Sequence, residues 1–233
     1  TVSYIAFRLL GQKPICAAGH SLGEYSALVA AEALSFTDAV QLVHKRGRYM
    51  QEAVQPGAGK MVAVLGAEVE DISATISAVS KGVAQIANLN CPGQTVVAGD
   101  NAGIDEFVSL ITAKGQKVIP LNVSAPFHCH LMKPAEEQLA KDLTATSFSN
   151  PLFPVYSNVS AQAVREGSEA RSLLIKQVCS AVRWTESMQT LVREMGVKRA
   201  IEFGPGKVLS KLFKRIDKGV ECLEVAEPQT LSA

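Results

Sequence analysis

Apolar positions along the chain fall into short continuous runs separated by amphipathic stretches of helical period, the alternation that predicts an α/β protein. Residues 2–10 read as a helix ended by Gly11 and Pro14. The run Ile15-Cys-Ala-Ala lacks polar alternation and predicts a strand over 15–18, buried on both faces if it sits in a parallel sheet. After Gly19-His-Ser-Leu-Gly23, residues 25–34 are rich in good helix formers. Ser35, Thr37 and Asp38 then supply cap and first-turn chemistry for a helix over 38–54, which Gln55-Pro-Gly-Ala-Gly stops.

The next stretch predicts a strand over 60–65, a helix over 68–80, strands over 83–90 and 95–98, a helix over 101–113 and a strand over 117–122. That order, βαββαβ, is the order of a ferredoxin-like unit. The expected organisation is therefore a small ferredoxin-like subdomain over 58–123 inserted into a larger one, 1–57 and 124–233. In the larger part the pattern predicts helices over 133–144, 169–180, 185–195 and 207–218, and strands over 154–157 and 198–203.

Composition narrows the class. With 233 residues and 47% apolar content the chain has ample length for a core, and its 19% charged content excludes wholesale disorder. Lys+Arg 23 against Asp+Glu 22 leaves a net charge of +1, which argues against nucleic acid or an anionic membrane as partner. No run approaches the ~18–20 unbroken apolar residues of a membrane span. Cys16, Cys91, Cys129, Cys179 and Cys222 are an odd set without a CxxC pair, so they read as reduced thiols with no structural metal, in a cytoplasmic compartment. The opening residues show no signal-peptide pattern, and a start without Met on a helical pattern predicts that the chain begins partway into its fold.

Gly19-His-Ser21-Leu-Gly23 fits G-x-S-x-G, a nucleophile elbow in which a sharp strand-to-helix turn presents the serine. The helix beginning at Leu22 would offer free N–H groups to the carbonyl under attack. The plain alternative is a Gly-rich turn with an incidental serine. A hydroxyl nucleophile needs a base, and the candidates are His20, His44, His128 and His130. His20 adjoins Ser21 and should point elsewhere, and His44 sits mid-helix beside Lys45 and Arg46. His128 follows Ser124-Ala-Pro-Phe where the small subdomain returns the chain to the large one, the kind of junction where clefts form, so it is preferred, with His130 as fallback. Arg46 on the helix over 38–54 is placed to grip a carboxylate bidentately, or else to lie on a solvated basic face.

The segment Gly19-His-Ser-Leu-Gly-Glu-Tyr-Ser-Ala-Leu-Val-Ala-Ala resembles the active-site segment of malonyl-CoA:acyl-carrier-protein transacylases and polyketide-synthase acyltransferase domains. So do Arg46-Gly, Asn90-Cys-Pro-Gly-Gln, Ala125-Pro-Phe-His, Val182-Arg-Trp-Thr and Glu202-Phe-Gly-Pro-Gly-Lys-Val-Leu. The resemblance implies a hydrolase-like parallel-sheet subdomain with a ferredoxin-like insert. It implies Ser21 as nucleophile, His128 as its base, Arg46 on the malonyl carboxylate, and the Leu22 N–H as an oxyanion donor. It also implies that the carbonyl at Arg183 orients the histidine, and that Phe127 beside the pocket favours malonyl over methylmalonyl. Asn90, within the turn over 88–94, either lines the substrate channel or merely closes two strands. The family's Gly-x-Gly-x-Gln turn, source of a second oxyanion donor, does not occur ahead of Ser21.

The implied reaction is ping-pong: malonyl-CoA acylates Ser21, and the phosphopantetheine thiol of a holo-acyl carrier protein takes the malonyl group. The partners are malonyl-CoA and the carrier protein, no cofactor is needed, and the enzyme is expected to be a monomer. One alternative is an α/β-hydrolase-type esterase or thioesterase, although that class places its histidine late in the chain. Another is a non-catalytic carrier-protein docking fragment, suggested by Lys207, Lys211, Lys214, Arg215 and Lys218 along the last long helix, opposite the apolar Val208, Leu209, Leu212, Phe213 and Ile216. Gly204-Pro-Gly-Lys207 lacks phosphate-loop spacing and reads as a strand-to-helix turn.

Overall fold

The computed structural model describes residues 1–225. Helix α1 (Val2–Leu10) ends at Gly11, whose φ of 66° is the left-handed conformation that terminates helices. β1 (Ala17–Ala18), α2 (Gly23–Ala30) and α3 (Phe36–Glu52) follow. Then come β2 (Gly59–Leu65), α4 (Val69–Ser77), β3 (Ala84–Cys91), β4 (Gln94–Asp100), α5 (Asn101–Ala113) and β5 (Lys117–Pro120). A 3-10 turn (His130–Met132) leads into α6 (Lys133–Ala145), β6 (Val155–Tyr156), β7 (Ala163–Val164) and α7 (Gly167–Gln177). α8 (Trp184–Met195), β8 (Arg199–Phe203), α9 (Val208–Ile216) and β9 (Glu221–Val225) complete the described chain.

Two compact units result among the described residues, one of 1–43, 146–173 and 184–225, the other of 44–145 and 174–183. In the second unit β3, β4, β2 and β5 form, in that order, an antiparallel sheet. Its strands are apolar on both sides because both faces are covered. Val62, Val64 and Val97 pack with Ile72, Ile104, Phe107 and Ile111 of α4 and α5, while Met61, Ala63, Val96 and Ala98 of the other face pack with Cys129, Phe127 and Leu131. Those last residues lie outside 58–123, which is one reason the second unit is wider than the subdomain expected from the pattern. A second reason is that β3 continues its pairing onto Val182, with Leu89 N–H donating to the Val182 carbonyl and Val182 N–H to that of Ala87, both at 2.9 Å. A third is the link between α3 and α6, where Lys45 Nζ and Tyr49 OH both donate to Asp142.

In the first unit β1 pairs in parallel with β6, which pairs antiparallel with β7, and β8 pairs in parallel with β9. The sequence pattern missed β7, which is two residues long, and β9, whose alternating glutamates mask its half-buried face. The expectation that 15–18 is buried on both faces does not hold: Ile15 is 57% exposed. Among the described residues β1 has a strand on one side only. Both of its residues line a cavity of about 490 Å³, together with Cys16, His20, Trp184, Phe203 and Phe213, among others.

α9 buries Leu212 and Phe213 as its pattern predicts but leaves Val208 exposed. The turn ahead of it is a strand-to-helix turn: the Glu202 carboxylate accepts the N–H groups of Leu209 and Ser210 at 3.0 and 2.7 Å, occupying the helix start that an anion would otherwise use. Among the described residues no helix is long and apolar enough to cross a membrane.

Candidate active site

The first unit carries the serine. Ser21 has a φ of 52°, and of the four non-glycine residues in the left-handed region among the described residues two are Ser21 and His128, the pair expected to carry the chemistry. Such conformations cost about 1–3 kcal/mol and concentrate at functional sites. The turn is tight on one side only. A Cβ on Gly19 would lie 2.0 Å from the carbonyl carbon and oxygen of Gly23, whereas a Cβ on Gly23 would meet nothing within 4 Å. Gly19 is thus the sterically obligatory glycine of G-x-S-x-G.

The supply of backbone donors is narrower than the sequence predicted. The N–H groups of Gly23, Glu24 and Tyr25 bond back to the carbonyls of His20, Ser21 and Leu22, closing the first turn of α2 on itself. Ser21 N–H donates to Asn158 Oδ1 at 2.6 Å. Leu22 is the N-cap of α2, and its N–H makes no hydrogen bond among the described residues. It is thus a backbone donor at this turn with no partner among the described residues.

The second unit carries His128, Arg46 and Gln177. His128 is buried, with φ 61°, in the loop after β5. Its Nδ1 lies 3.0 Å from the main-chain carbonyl oxygen of Gln177. A carbonyl only accepts, so Nδ1 carries the hydrogen and Nε2 presents a lone pair, the tautomer required of a general base. The orienting carbonyl is thus that of Gln177, and the role expected at Arg183 falls six residues earlier, at the end of α7; Arg183 itself follows Val182, which is occupied with β3.

Gln177 has a second task. Its Oε1 accepts a hydrogen bond from Arg46 Nη2 at 3.2 Å. Arg46 is 5% exposed, which rules out the solvated-face alternative, whereas its neighbours Lys45 and Arg48 meet Asp142 and the Tyr49 ring. A buried guanidinium cannot shed its proton and gains from an anion brought to it. One residue, Gln177, thus fixes both an imidazole and a guanidinium.

The remaining candidates divide. Phe127 packs on the sheet face with Met61 and Ala98. Asn90 lies near the end of β3, just past the pairing with Val182, and is half-buried. Among the other histidines, His20 tilts against Trp184 with ring centres 5.5 Å apart, and His44 and His130 are exposed. Burial pushes the thiols of Cys16 and Cys129 up to about 11 and that of Cys179 up to about 12, so none is a ready nucleophile.

Gln177 and Asn158 were missed by the sequence reading. Ala170, Leu173, Leu174 and Gln177 follow i, i+3, i+4, i+7 spacing and are all buried, so a glutamine on the apolar stripe of α7 was the legible signal. Asn158 follows a strand that runs parallel to β1, at the strand end where open α/β sheets place their sites.

Residues 3–225 match the family model described as an acyl transferase domain. The chain is 46% identical over 228 residues to a malonyl CoA-acyl carrier protein transacylase of Bacillus subtilis, a match covering 97% of this chain and 72% of that protein. A crystal structure of an acyl-carrier-protein S-malonyltransferase from Burkholderia pseudomallei is 40% identical, with a TM-score of 0.95, covering 99% of this chain and 76% of that one. A type II PKS acyl-carrier protein in complex with its malonyl-transacylase matches at 38% identity and TM-score 0.95, over 99% and 76% of the two chains. Matched over residues 3–225 by that family model and 46% identical to a curated relative, the chain belongs to the acyl transferase family, among the malonyl CoA-acyl carrier protein transacylases.

Proposed function

We propose that this chain transfers a malonyl group from malonyl-CoA to the phosphopantetheine thiol of an acyl carrier protein, through a malonyl ester on Ser21. The observation that carries this reading is the double use of Gln177, whose carbonyl orients His128 and whose side chain holds Arg46. A base paired with a buried cation suits an acyl group that ends in a carboxylate. His128 Nε2 takes the Ser21 proton as Oγ attacks the thioester carbonyl, and the Leu22 N–H receives the oxyanion. Collapse expels CoA as its thiol, protonated by the histidine. In the second half the carrier thiol gives its proton to His128, attacks the ester and releases Ser21. Thioester to ester to thioester is nearly level in energy, so substrates suffice without a cofactor.

Arg46 grips the malonyl carboxylate in a charge-assisted pair. Phe127 favours malonyl over methylmalonyl, a methyl-sized distinction worth about 1–3 kcal/mol, and Asn90 lines the acyl channel. On this reading the first unit is a hydrolase-like subdomain presenting Ser21 on a nucleophile elbow, the antiparallel sheet of the second is the ferredoxin-like insert of 58–123 within 1–57 and 124–233, and the enzyme works in the cytoplasm. The esterase reading is not favoured, since the relatives are transacylases.

The test incubates the chain with malonyl-CoA and holo-carrier protein, following CoA release and carrier mass together. Stoichiometric malonyl-carrier is expected, with Arg46→Ala shifting preference toward acetyl-CoA. Release of free malonate in place of malonyl-carrier would overturn the reading.

A further inference from the structure

A serine in the left-handed region must be held there by its surroundings, since the conformation is unfavourable for a residue with a Cβ. The group that holds Ser21 is Asn158, which is fully buried. Its carboxamide accepts the Ser21 N–H at 2.6 Å through Oδ1 and donates to the Gly19 carbonyl at 2.8 Å through Nδ2. One planar head thus ties down the peptide groups on either side of His20. Only a carboxamide has a donor and an acceptor side by side: aspartate offers no donor at neutral pH, and leucine neither.

Asn158 is fixed in turn. Its own N–H donates at 3.0 Å to the carboxylate of Glu24, which is 2% exposed in the first turn of α2. The contacts close a loop from Ser21 to Asn158 to Glu24, and along the chain back to Ser21. A negative charge at the start of α2 also complements the helix dipole. Around Asn158, Ser157 N–H donates to the Gln162 carbonyl at 3.0 Å and Ser187 Oγ to the Ser157 carbonyl at 3.2 Å, so the turn after β6 does not drift.

We propose that Asn158 is the positioning residue of the nucleophile turn, with Glu24 as its support. It touches the backbone of Ser21 and none of the reacting atoms. By consuming the Ser21 N–H it leaves the oxyanion to Leu22, and by pinning Gly19 and Ser21 together it fixes the direction of Cα–Cβ and hence of Oγ. The effect belongs in the rate of the chemical step and not in substrate affinity, because the clasp lies behind the serine. This inference rests on Ser21 being the nucleophile, and the experiment separates the two.

The measurement is the rate of malonyl-adduct formation on the full chain, by quenched mixing and intact mass across a series of malonyl-CoA concentrations, with a thermal melt of each variant. For Asn158→Ala and Asn158→Asp the saturating rate is expected to fall roughly ten- to a hundredfold, the scale of an ångström-sized misplacement, with the half-saturating concentration unchanged. Glu24→Gln, which keeps an acceptor for the Asn158 N–H, should retain the rate that Glu24→Ala loses. Wild-type acylation in a folded Asn158→Ala overturns the proposal, as does a loss confined to half-saturation. If the Asn158 variants do not fold, the Glu24 pair decides: equal rates in Glu24→Ala and Glu24→Gln overturn it. Ser21→Ala is the control, and an adduct surviving there strikes the nucleophile assignment instead.

Discussion

Replacing Gln177 by leucine separates the two tasks of that residue. The main-chain carbonyl that accepts from His128 Nδ1 stays, whereas Oε1, which accepts from Arg46 Nη2 at 3.2 Å, is lost. A hydrogen bond to a charged group is worth about 1.5–3 kcal/mol, more when the charge is left buried, and Arg46 is 5% exposed. At about 1.4 kcal/mol per factor of ten, misplacing the guanidinium costs roughly ten- to a hundredfold in kcat/KM for malonyl-CoA. Acetyl-CoA, which has no carboxylate for Arg46, should lose little. The assay compares Ser21 acylation by the two donors over a pH series. The acid limb of the profile, which reports the base, should stay where it is in the wild type because the carbonyl is intact. Equal slowing with both donors would refute the assignment of Arg46 to the carboxylate through Gln177. A displaced acid limb would show instead that the side chain acts on the imidazole.

Gly19→Ala should lower the melting temperature and abolish acylation, since the new Cβ falls 2.0 Å from backbone atoms of Gly23 and overpacking costs about 1–3 kcal/mol or more; Gly23→Ala, with open space, should fold normally, and equal melts for the two would refute the steric account. Stability should fall as pH rises from about 9 toward 11. Cys16 and Cys129 are held at about 11 by burial while an unfolded thiol titrates near ~8.5, so in that window the unfolded chain has already lost protons that the folded one keeps. The slope of melting temperature against pH should flatten in Cys129→Ala, and an unchanged slope would contradict the assignment. Lys211, Lys214 and Arg215 are exposed on α9, and Lys218 is exposed in the turn after it. Reversing Lys211 and Lys214 to glutamate should raise KM for the acidic carrier protein and leave acylation by malonyl-CoA alone; an unchanged carrier KM removes that helix from docking.

What the sequence made legible, and what it did not, divides along a physical line. Features set by local chemistry were readable: α1 with its Gly11 stop, the order of elements from β2 to β5, and the serine turn, where an apolar strand meets Gly19 and a helix-forming run. His128 stood out by its place in the chain. Features set by partners distant in sequence were not. Asn158 is 137 residues from Ser21, and Gln177 is 49 from His128 and 131 from Arg46; nothing near either names its partner. Placing the orienting carbonyl at Arg183 failed for that reason, since every residue has a carbonyl and only the fold selects one. Exposure of Ile15 was illegible likewise, because an apolar run does not say how many strands flank it.

The central claim is that Ser21 carries the acyl group between two thiols. Brief exposure of the chain to malonyl-CoA, followed by intact mass and peptide mapping, tests it most directly. The account predicts a single malonyl adduct on the peptide containing Ser21, discharged by holo-carrier protein and absent from Ser21→Ala. An adduct on another residue, or none on a folded chain, would contradict it.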